Sequence, residues 1–139
     1  MTDKSKKILA DISAGELLDK ISILDIKLVK ITDKNSLVFI KKEYESLNSV
    51  KKKILDTNID ATKQSLILDY YNQLKSINEK LWYIEDEKRL CEKNSDFGEK
   101  FIKLSRDVHF LNDKRAEIKL NCNQVTDFDF REIKQYTKY

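Results

Sequence analysis

Proline is absent from this chain of 139 residues, and glycine occurs only at Gly15 and Gly98. Tight hairpin turns and phosphate-binding loops depend on these residue types, so the sequence offers little material for β-rich folds or glycine-rich nucleotide sites. Leu, Ile, Lys and Glu are frequent instead, a composition typical of long helices. These features predict a single all-α domain over residues 1–139.

Long apolar runs are also missing. No stretch approaches the roughly 20 residues of a membrane span, and the N-terminal sequence MTDKSKKILADIS lacks the apolar core of a signal peptide. The 27 basic and 24 acidic side chains nearly balance, and a net charge of +3 is too small to argue for nucleic acid. We therefore expect a cytoplasmic protein without a membrane span.

The residues that usually carry chemistry are few. Cys91 and Cys122 fall in helical patterns without metal-ligand spacing, so both are interpreted as small buried hydrophobes. His109 is the single histidine, and no Glu-x-x-His pattern supplies a di-iron site. The tripeptide DFG at 96–98 lacks the other protein-kinase motifs. No metal or cofactor is expected, and an enzyme is disfavoured.

Local signals place four helices, over about residues 13–31, 35–56, 61–93 and 96–124. Ser13 and Glu16 form a capping box, in which each side chain hydrogen-bonds to the backbone of the other, and Asp60 is a plausible N-cap. Asn94 suits a C-cap, and Asp96 with Glu99 suggests a second capping box. The tail, 127–137, is expected to form a short helix or to dock through its aromatic side chains.

Apolar residues at alternating steps of three and four predict an antiparallel, coiled-coil-like bundle of two helical hairpins. The second hairpin is longer, and residue i of its first helix should face roughly residue 190 minus i. Because the first hairpin is too short to cover it, some apolar surface should stay exposed, which predicts a homodimer.

A polar stripe accompanies this long hairpin. Its third-helix part is Asn78, Trp82, Glu85 and Arg89, and its fourth-helix part is Arg106, His109 and Asp113. We interpret the stripe as interhelical salt bridges and hydrogen bonds, with Trp82 packed over them, in preference to acid–base catalysis by His109.

Arg115 occupies a seam position, where an unpaired guanidinium would be costly. We predict that it pairs with Glu16, Asp19 or Asp25, or lies at a polar end of the bundle. The lysines of the second helix lack accompanying aromatic or arginine residues, so a solvated face is the favoured interpretation.

Three segments together resemble a family of small helical proteins catalogued only as a domain of unknown function: GELLDKISILDIK, INEKLWYIEDEKR and DFGEKFIKLSRDVHFLNDKRAEIK. The resemblance runs from about residue 14 to 122. It implies a bacterial or phage-related protein, sometimes neighbouring glycosyltransferase-like modules. At the position of His109 the family pattern is similar to one with tyrosine. The candidates for a shared site are Glu16, Asp19, Lys20, Trp82, Glu85, Asp86, Arg89, Arg106, Asn112, Asp113 and Arg115.

Three functional hypotheses follow. The first is a non-enzymatic protein-interaction or assembly module, because no catalytic motif is recognisable. The second, an accessory factor in polysaccharide or cell-envelope glycan synthesis, rests on the resemblance alone. The third is a weak nucleic-acid-binding protein that uses the second-helix lysines, such as Lys41, Lys42 and Lys51.

Overall fold

The computed structural model describes residues 7–56, 60–126 and 133–139. Four helices follow one another: α1 (Ala14–Lys30), α2 (Lys34–Asp56), α3 (Ala61–Lys93) and α4 (Glu99–Val125). The described ranges contain no strand, and the helices pack as a bundle, so the all-α prediction is confirmed. The assignment of the whole chain to one domain stays a prediction.

Short polar side chains begin three of these helices. Ser13 Oγ accepts from the backbone N–H of Glu16 at 3.2 Å, and Asp60 Oδ1 accepts from that of Lys63 at 2.8 Å. Asp33 Oδ2 accepts from both the N–H and the hydroxyl of Ser36, and these bonds lower the pKa of the Asp33 carboxyl. Each cap satisfies amide groups that the first helical turn leaves unpaired.

The turn between α3 and α4 differs from the prediction. Asn94 is the C-cap of α3, as expected, and Ser95 has a positive φ of 53°. Asp96, however, accepts from the N–H of Gly98 at 3.2 Å, and Gly98 is the N-cap of α4. The predicted Asp96 capping box was wrong, because the Asp96 carboxylate closes a turn with the N–H of Gly98, before the helix begins. The helix starts at Glu99.

Helix α1 is the centre of the bundle, since it packs against each of the other three helices. Its buried side chains include Leu17, Leu18 and Ile21, which join Leu74 of α3 and Cys122 of α4 in the main core. This explains why apolar residues occur on more than one side of α1 in the sequence. Helix α2, in contrast, contains no buried residue and contributes only half-buried ones to this core.

The α3–α4 hairpin extends beyond α1. Helix α3 has 33 residues and is about 50 Å long, whereas the 17 residues of α1 span about 25 Å. We call residues 61–78 with 112–125 the proximal end, and residues 84–104 the distal arm. The buried core of the distal arm consists of Ile84, Cys91 and Leu104.

Contacts across the hairpin follow the predicted antiparallel register. Lys100 Nζ lies 2.6 Å from Glu87 Oε2, and this carboxylate raises the pKa of Lys100. Lys88 Nζ lies 5.4 Å from the centroid of the Phe101 ring. Lys88, a charge on the apolar seam, therefore places its ammonium group over an aromatic face.

The described part of the tail, residues 133–139, contacts α4 and does not form the expected helix. Residues 127–132 of the expected segment lie outside the described residues, and 133–139 are not helical. The Thr126 hydroxyl donates to the carbonyl of Cys122 at the end of α4. Tyr139 donates to Asp113 and packs against His109 and Phe110.

Both cysteines are buried and free, as the sequence predicts. Desolvation raises the pKa of the Cys122 thiol to about 11. In the part of the chain that the structure describes, none of the helices has the length and apolar character needed to cross a membrane.

Candidate functional site

Asp19 and Arg115 form an ion pair between α1 and α4. Arg115 Nε lies 2.8 Å from Asp19 Oδ1, and Nη2 lies 2.6 Å from Oδ2. Asp19 is 3% exposed, so this bidentate contact is what compensates its removal from water. The predicted partnership of Arg115 with an acid of the first helix is confirmed, and the partner is Asp19.

Asn78 of α3 completes the contact among three helices. Its Nδ2 donates to Asp19 Oδ1 at 2.9 Å and to Ser22 Oγ at 2.8 Å, and the Ser22 hydroxyl donates to the carbonyl of Asp19 at 2.6 Å. A carboxylate can only accept, and the Ser22 hydroxyl already donates to the carbonyl of Asp19, so the orientation of the amide is fixed. Asn78 Oδ1 receives no hydrogen bond from any described residue.

A second polar contact holds the start of α1 against the end of α4. Lys119 Nζ lies 2.9 Å from Glu16 Oε1, and the N–H of Gly15 donates to Asn123 Oδ1 at 2.7 Å. Glu16 therefore reaches across to α4, and its expected bond back to the N–H of Ser13 is replaced. A Cβ on Gly15 would lie 2.5 Å from the carbonyl oxygen of Lys119, so the helices approach closely here.

Beside the Asp19–Arg115 pair lies a cavity of about 370 Å³, which we call the Trp82 cleft. Its lining residues come from α1, α3 and α4: Ile23, Ile26, Asn78, Leu81, Trp82, Glu85, Asp86, Arg89 and Arg115. Six of them are among the predicted site residues. Trp82 is half-buried, whereas Glu85, Asp86 and Arg89 are exposed. The cleft thus combines an apolar floor with a charged rim.

The other predicted site residues lie elsewhere or at its edge. Lys20 pairs with Glu43 of α2 at 3.0 Å, while Asn112 Oδ1 lies 3.4 Å from Arg115 Nη1. Arg106, His109 and Asp113 are exposed on α4. Among the described residues none of these three forms an ion pair with α3, so their interpretation as interhelical salt bridges was wrong. His109 and Asp113 instead contact Tyr139 of the docked tail.

A larger depression, the α3–α4 groove, was not predicted as a site. It encloses about 770 Å³ and is lined by Ser76, Glu79, Lys80, Tyr83, Ile84, Lys100, Lys103, Leu104, Asp107, Phe110 and Leu111. All of these belong to α3 or α4. Tyr83 is 60% exposed and Phe110 is 43% exposed, which is a high exposure for aromatic side chains lining one surface.

A further polar cluster joins α1, α2 and α3. The Tyr71 hydroxyl donates to Asp25 Oδ2 at 3.0 Å, and Lys75 Nζ lies 3.2 Å from the same oxygen. Lys51 Nζ lies 4.1 Å from the centroid of the Tyr71 ring. Burial is the main cause that raises the pKa of Tyr71 and lowers that of Lys51. Through Lys51 this cluster joins α2 to the bundle, in addition to the half-buried apolar side chains that α2 packs against the main core.

Comparison with known protein families assigns this chain to a family. The model of a family of unknown function, DUF6165, covers residues 8–138. The chain belongs to this family. No curated protein and no solved structure matches it. The resemblance found in the sequence is thereby confirmed as to family, and the family description assigns no activity.

Sequence patterns alone missed three contributors to the network of this DUF6165 member. Ser22, Lys119 and Asn123 are buried polar residues that contact α1 or lie within it. Lys119 and Asn123 follow Arg115 on α4 by four and eight residues. The three side chains therefore lie on the same face of the helix. That spacing was the available signal, and it would have extended the polar stripe to the proximal end.

Proposed function

We propose that this protein is a non-enzymatic assembly module that acts as a homodimer, with the α3–α4 groove of each chain facing that of the other. The observation that carries this proposal is the groove itself. It is an apolar surface on the long hairpin, on which neither α1 nor α2 contributes a lining residue.

The apolar floor supplies the driving force for association. Tyr83, Ile84 and Leu104 line the groove together with Phe110 and Leu111. Covering such side chains releases about 25 cal/mol for each Å² of apolar surface removed from water. Aromatic side chains are enriched in the buried centres of interfaces, and Tyr83 and Phe110 are suited to that position.

The charges around the groove favour a second copy of the same chain as the partner. Its rim carries Lys80, Lys100 and Lys103 together with Glu79 and Asp107, so both signs are present. In a two-fold dimer the same surface faces itself, and lysines of one chain can then meet acids of the other. A rim of one sign would repel its own copy.

Light scattering after size-exclusion chromatography, over a wide concentration range, tests the dimer. We expect a mass twice the 16.4 kDa of one chain. Tyr83→Glu should shift the protein to monomers, because a carboxylate would be buried against the apolar floor. Phe39→Glu is the matched control, since Phe39 is exposed on α2 and outside the groove.

Two results would contradict this proposal. One is a monomer at every concentration, and the other is a dimer that Tyr83→Glu leaves intact. If Phe39→Glu separated the chains and Tyr83→Glu did not, the interface would lie on α2.

A further inference from the structure

Helix α2 has the weakest packing of the four helices. Its 23 residues include no buried side chain, whereas each of the other helices contributes several. Its extensive helix–helix contacts are with α1 alone. The apolar side chains that α2 packs against the main core are only half-buried: Tyr44, Leu47, Ile54 and Leu55. Because most helical stability in proteins comes from tertiary packing, α2 should be the helix that leaves the bundle most easily.

Two polar contacts of α2 add little to this support. Lys20 Nζ of α1 lies 3.0 Å from Glu43 Oε1, but the two side chains are 56% and 47% exposed, so solvent screens the pair. Near the end of α2, Gln64 Nε2 of α3 donates to the carbonyl oxygen of Leu55 at 2.6 Å. A neutral hydrogen bond of this kind replaces one to water, so its net contribution to stability is small.

Lys51 connects α2 to a buried residue of α3. Its Nζ lies 4.1 Å from the centroid of the Tyr71 ring, and Tyr71 is only 8% exposed. The face of an aromatic ring attracts a cation, and the aliphatic stem of a lysine covers apolar surface. The next residue, Lys52, is exposed. Of these two adjacent lysines, one therefore contacts the core and the other faces solvent.

The other three helices are joined to one another without α2. Asp19 pairs with Arg115 and Glu16 pairs with Lys119 between α1 and α4, and Asn78 of α3 donates to Asp19. The buried core between these helices also remains when α2 is removed. A helix without packing is only marginally stable in water, so α2 would unfold once it is detached.

We propose that α2 opens and closes as a separate cooperative unit over a core of α1, α3 and α4, and that Lys51 is the contact that holds it closed. Opening uncovers the side of α1 that carries Leu17 and Leu24. These residues lie three before and four after Lys20, so they share the face that meets Glu43, and they are 2% and 3% exposed. Because α2 contributes no residue to the α3–α4 groove, this device does not depend on the proposed dimer.

Hydrogen exchange of the full chain, followed by NMR at each amide, tests this device under conditions where the exchange rate reports the opening equilibrium. Amides in the middle of α2, such as those of Tyr44 and Leu47, should exchange at least about a hundredfold faster than those of Leu74 and Ile118 in the main core. Amides of α2 that exchange as slowly as these core amides would overturn the proposal.

Ile118→Val distinguishes separate opening of α2 from unfolding of the whole protein. Ile118 is buried in the main core on α4. Valine removes one methylene group and destabilises the folded protein, so the slowest core amides should exchange about fivefold faster. The core stays folded when α2 opens alone, so exchange of the α2 amides should not change. An equal acceleration in α2 would show that α2 opens only by global unfolding, which would overturn the proposal.

Lys51→Ala and Lys52→Ala form a matched pair, because both remove a lysine from the same turn of α2. Lys51→Ala should speed exchange of the α2 amides about fivefold, since it removes the contact with the Tyr71 ring. Lys52→Ala should leave their exchange rates unchanged. Acceleration by both variants, or by neither, would overturn the assignment of Lys51 as the contact that holds α2 closed.

Discussion

At the proximal end, the α3–α4 hairpin is covered by α1 and joined to it through Gly15, Glu16 and Asp19. In the distal arm the buried core consists of Ile84, Cys91 and Leu104, contributed by α3 and α4. The helices are continuous between these regions, so the helical pattern alone does not distinguish them. The difference comes from tertiary contacts, which supply most helical stability in proteins. The proximal end should therefore be the more stable region.

Truncating one leucine in each region should give the largest contrast. Leu74 is fully buried in the main core, whereas Leu104 retains 9% exposure beside the open groove. Leu74→Ala should cost about 3 to 4 kcal/mol of unfolding free energy, because it leaves a cavity among packed helices. Leu104→Ala should cost about 2 kcal/mol, since its surroundings can relax towards the groove. Urea denaturation measures both, and equal losses would remove the distinction.

Breaking the ion pair should have a slightly smaller effect. Asp19→Ala would leave the Arg115 guanidinium, only a quarter exposed, without its bidentate partner, and we expect a loss of about 3 kcal/mol. Glu87→Gln in the distal arm should cause a much smaller loss, because its partner Lys100 is exposed. The same denaturation experiment compares them. A loss from Glu87→Gln as large as that from Asp19→Ala would show that the arm depends equally on its charges.

The two glycines provide a matched pair of substitutions, because Gly15 of α1 lies against the proximal end and Gly98 lies in the distal arm. Gly15→Ala places a methyl group against the backbone of Lys119 and should cost about 2 kcal/mol, because α1 and α4 must move apart. Gly98→Ala meets nothing nearer than 3.4 Å, so its cost should be limited to the poorer N-cap preference of alanine, about 0.5 to 1 kcal/mol. Thermal unfolding of both variants checks this. A stable Gly15→Ala protein would contradict the close approach of the helices.

The smallest expected effect concerns the docked tail. Its hydrogen bond to Asp113 raises the pKa of Tyr139, so this contact is complete below the ordinary tyrosine pKa of about 10 and is lost as the pH rises through the raised value. His109 packs against Tyr139, and as the only histidine its ring protons are a specific NMR reporter. They should shift as Tyr139 ionises. Tyr139→Phe should abolish this high-pH shift, and its persistence would show that another group causes it.

Local patterns predicted the helices and the identity of most capping residues. The Ser13 and Asp60 caps and the heptad seams depend on residues close in sequence, so they could be interpreted without a structure. That Arg115 forms an ion pair could also be predicted from the sequence, because a charge on an apolar seam requires a partner. The sequence could not identify which acid is the partner, since Glu16, Asp19 and Asp25 lie within ten residues on one helix.

Other features depend on how α1 lies across the hairpin, which no local pattern reveals. Glu16 and Gly15 contact α4, whereas Asp25 contacts Tyr71 and Lys75 of α3. The sequence therefore could not show that Glu16 pairs with Lys119 and does not form the expected capping bond. The same geometry places α1 beside Trp82 and away from Arg106 and His109, which is why only part of the polar stripe lines a cleft.

The hydrogen bond from Gly15 to Asn123 joins residues 108 positions apart. During synthesis on a ribosome, α1 is made before α4, so α4 is the last of its three helical partners to appear. Until α4 follows, α1 can pack only against α2 and α3, and α2 contributes no buried side chain even in the finished bundle. Contacts so distant in sequence slow folding. The side of α1 that carries Gly15 and Glu16 should thus stay uncovered until α4 has been synthesised.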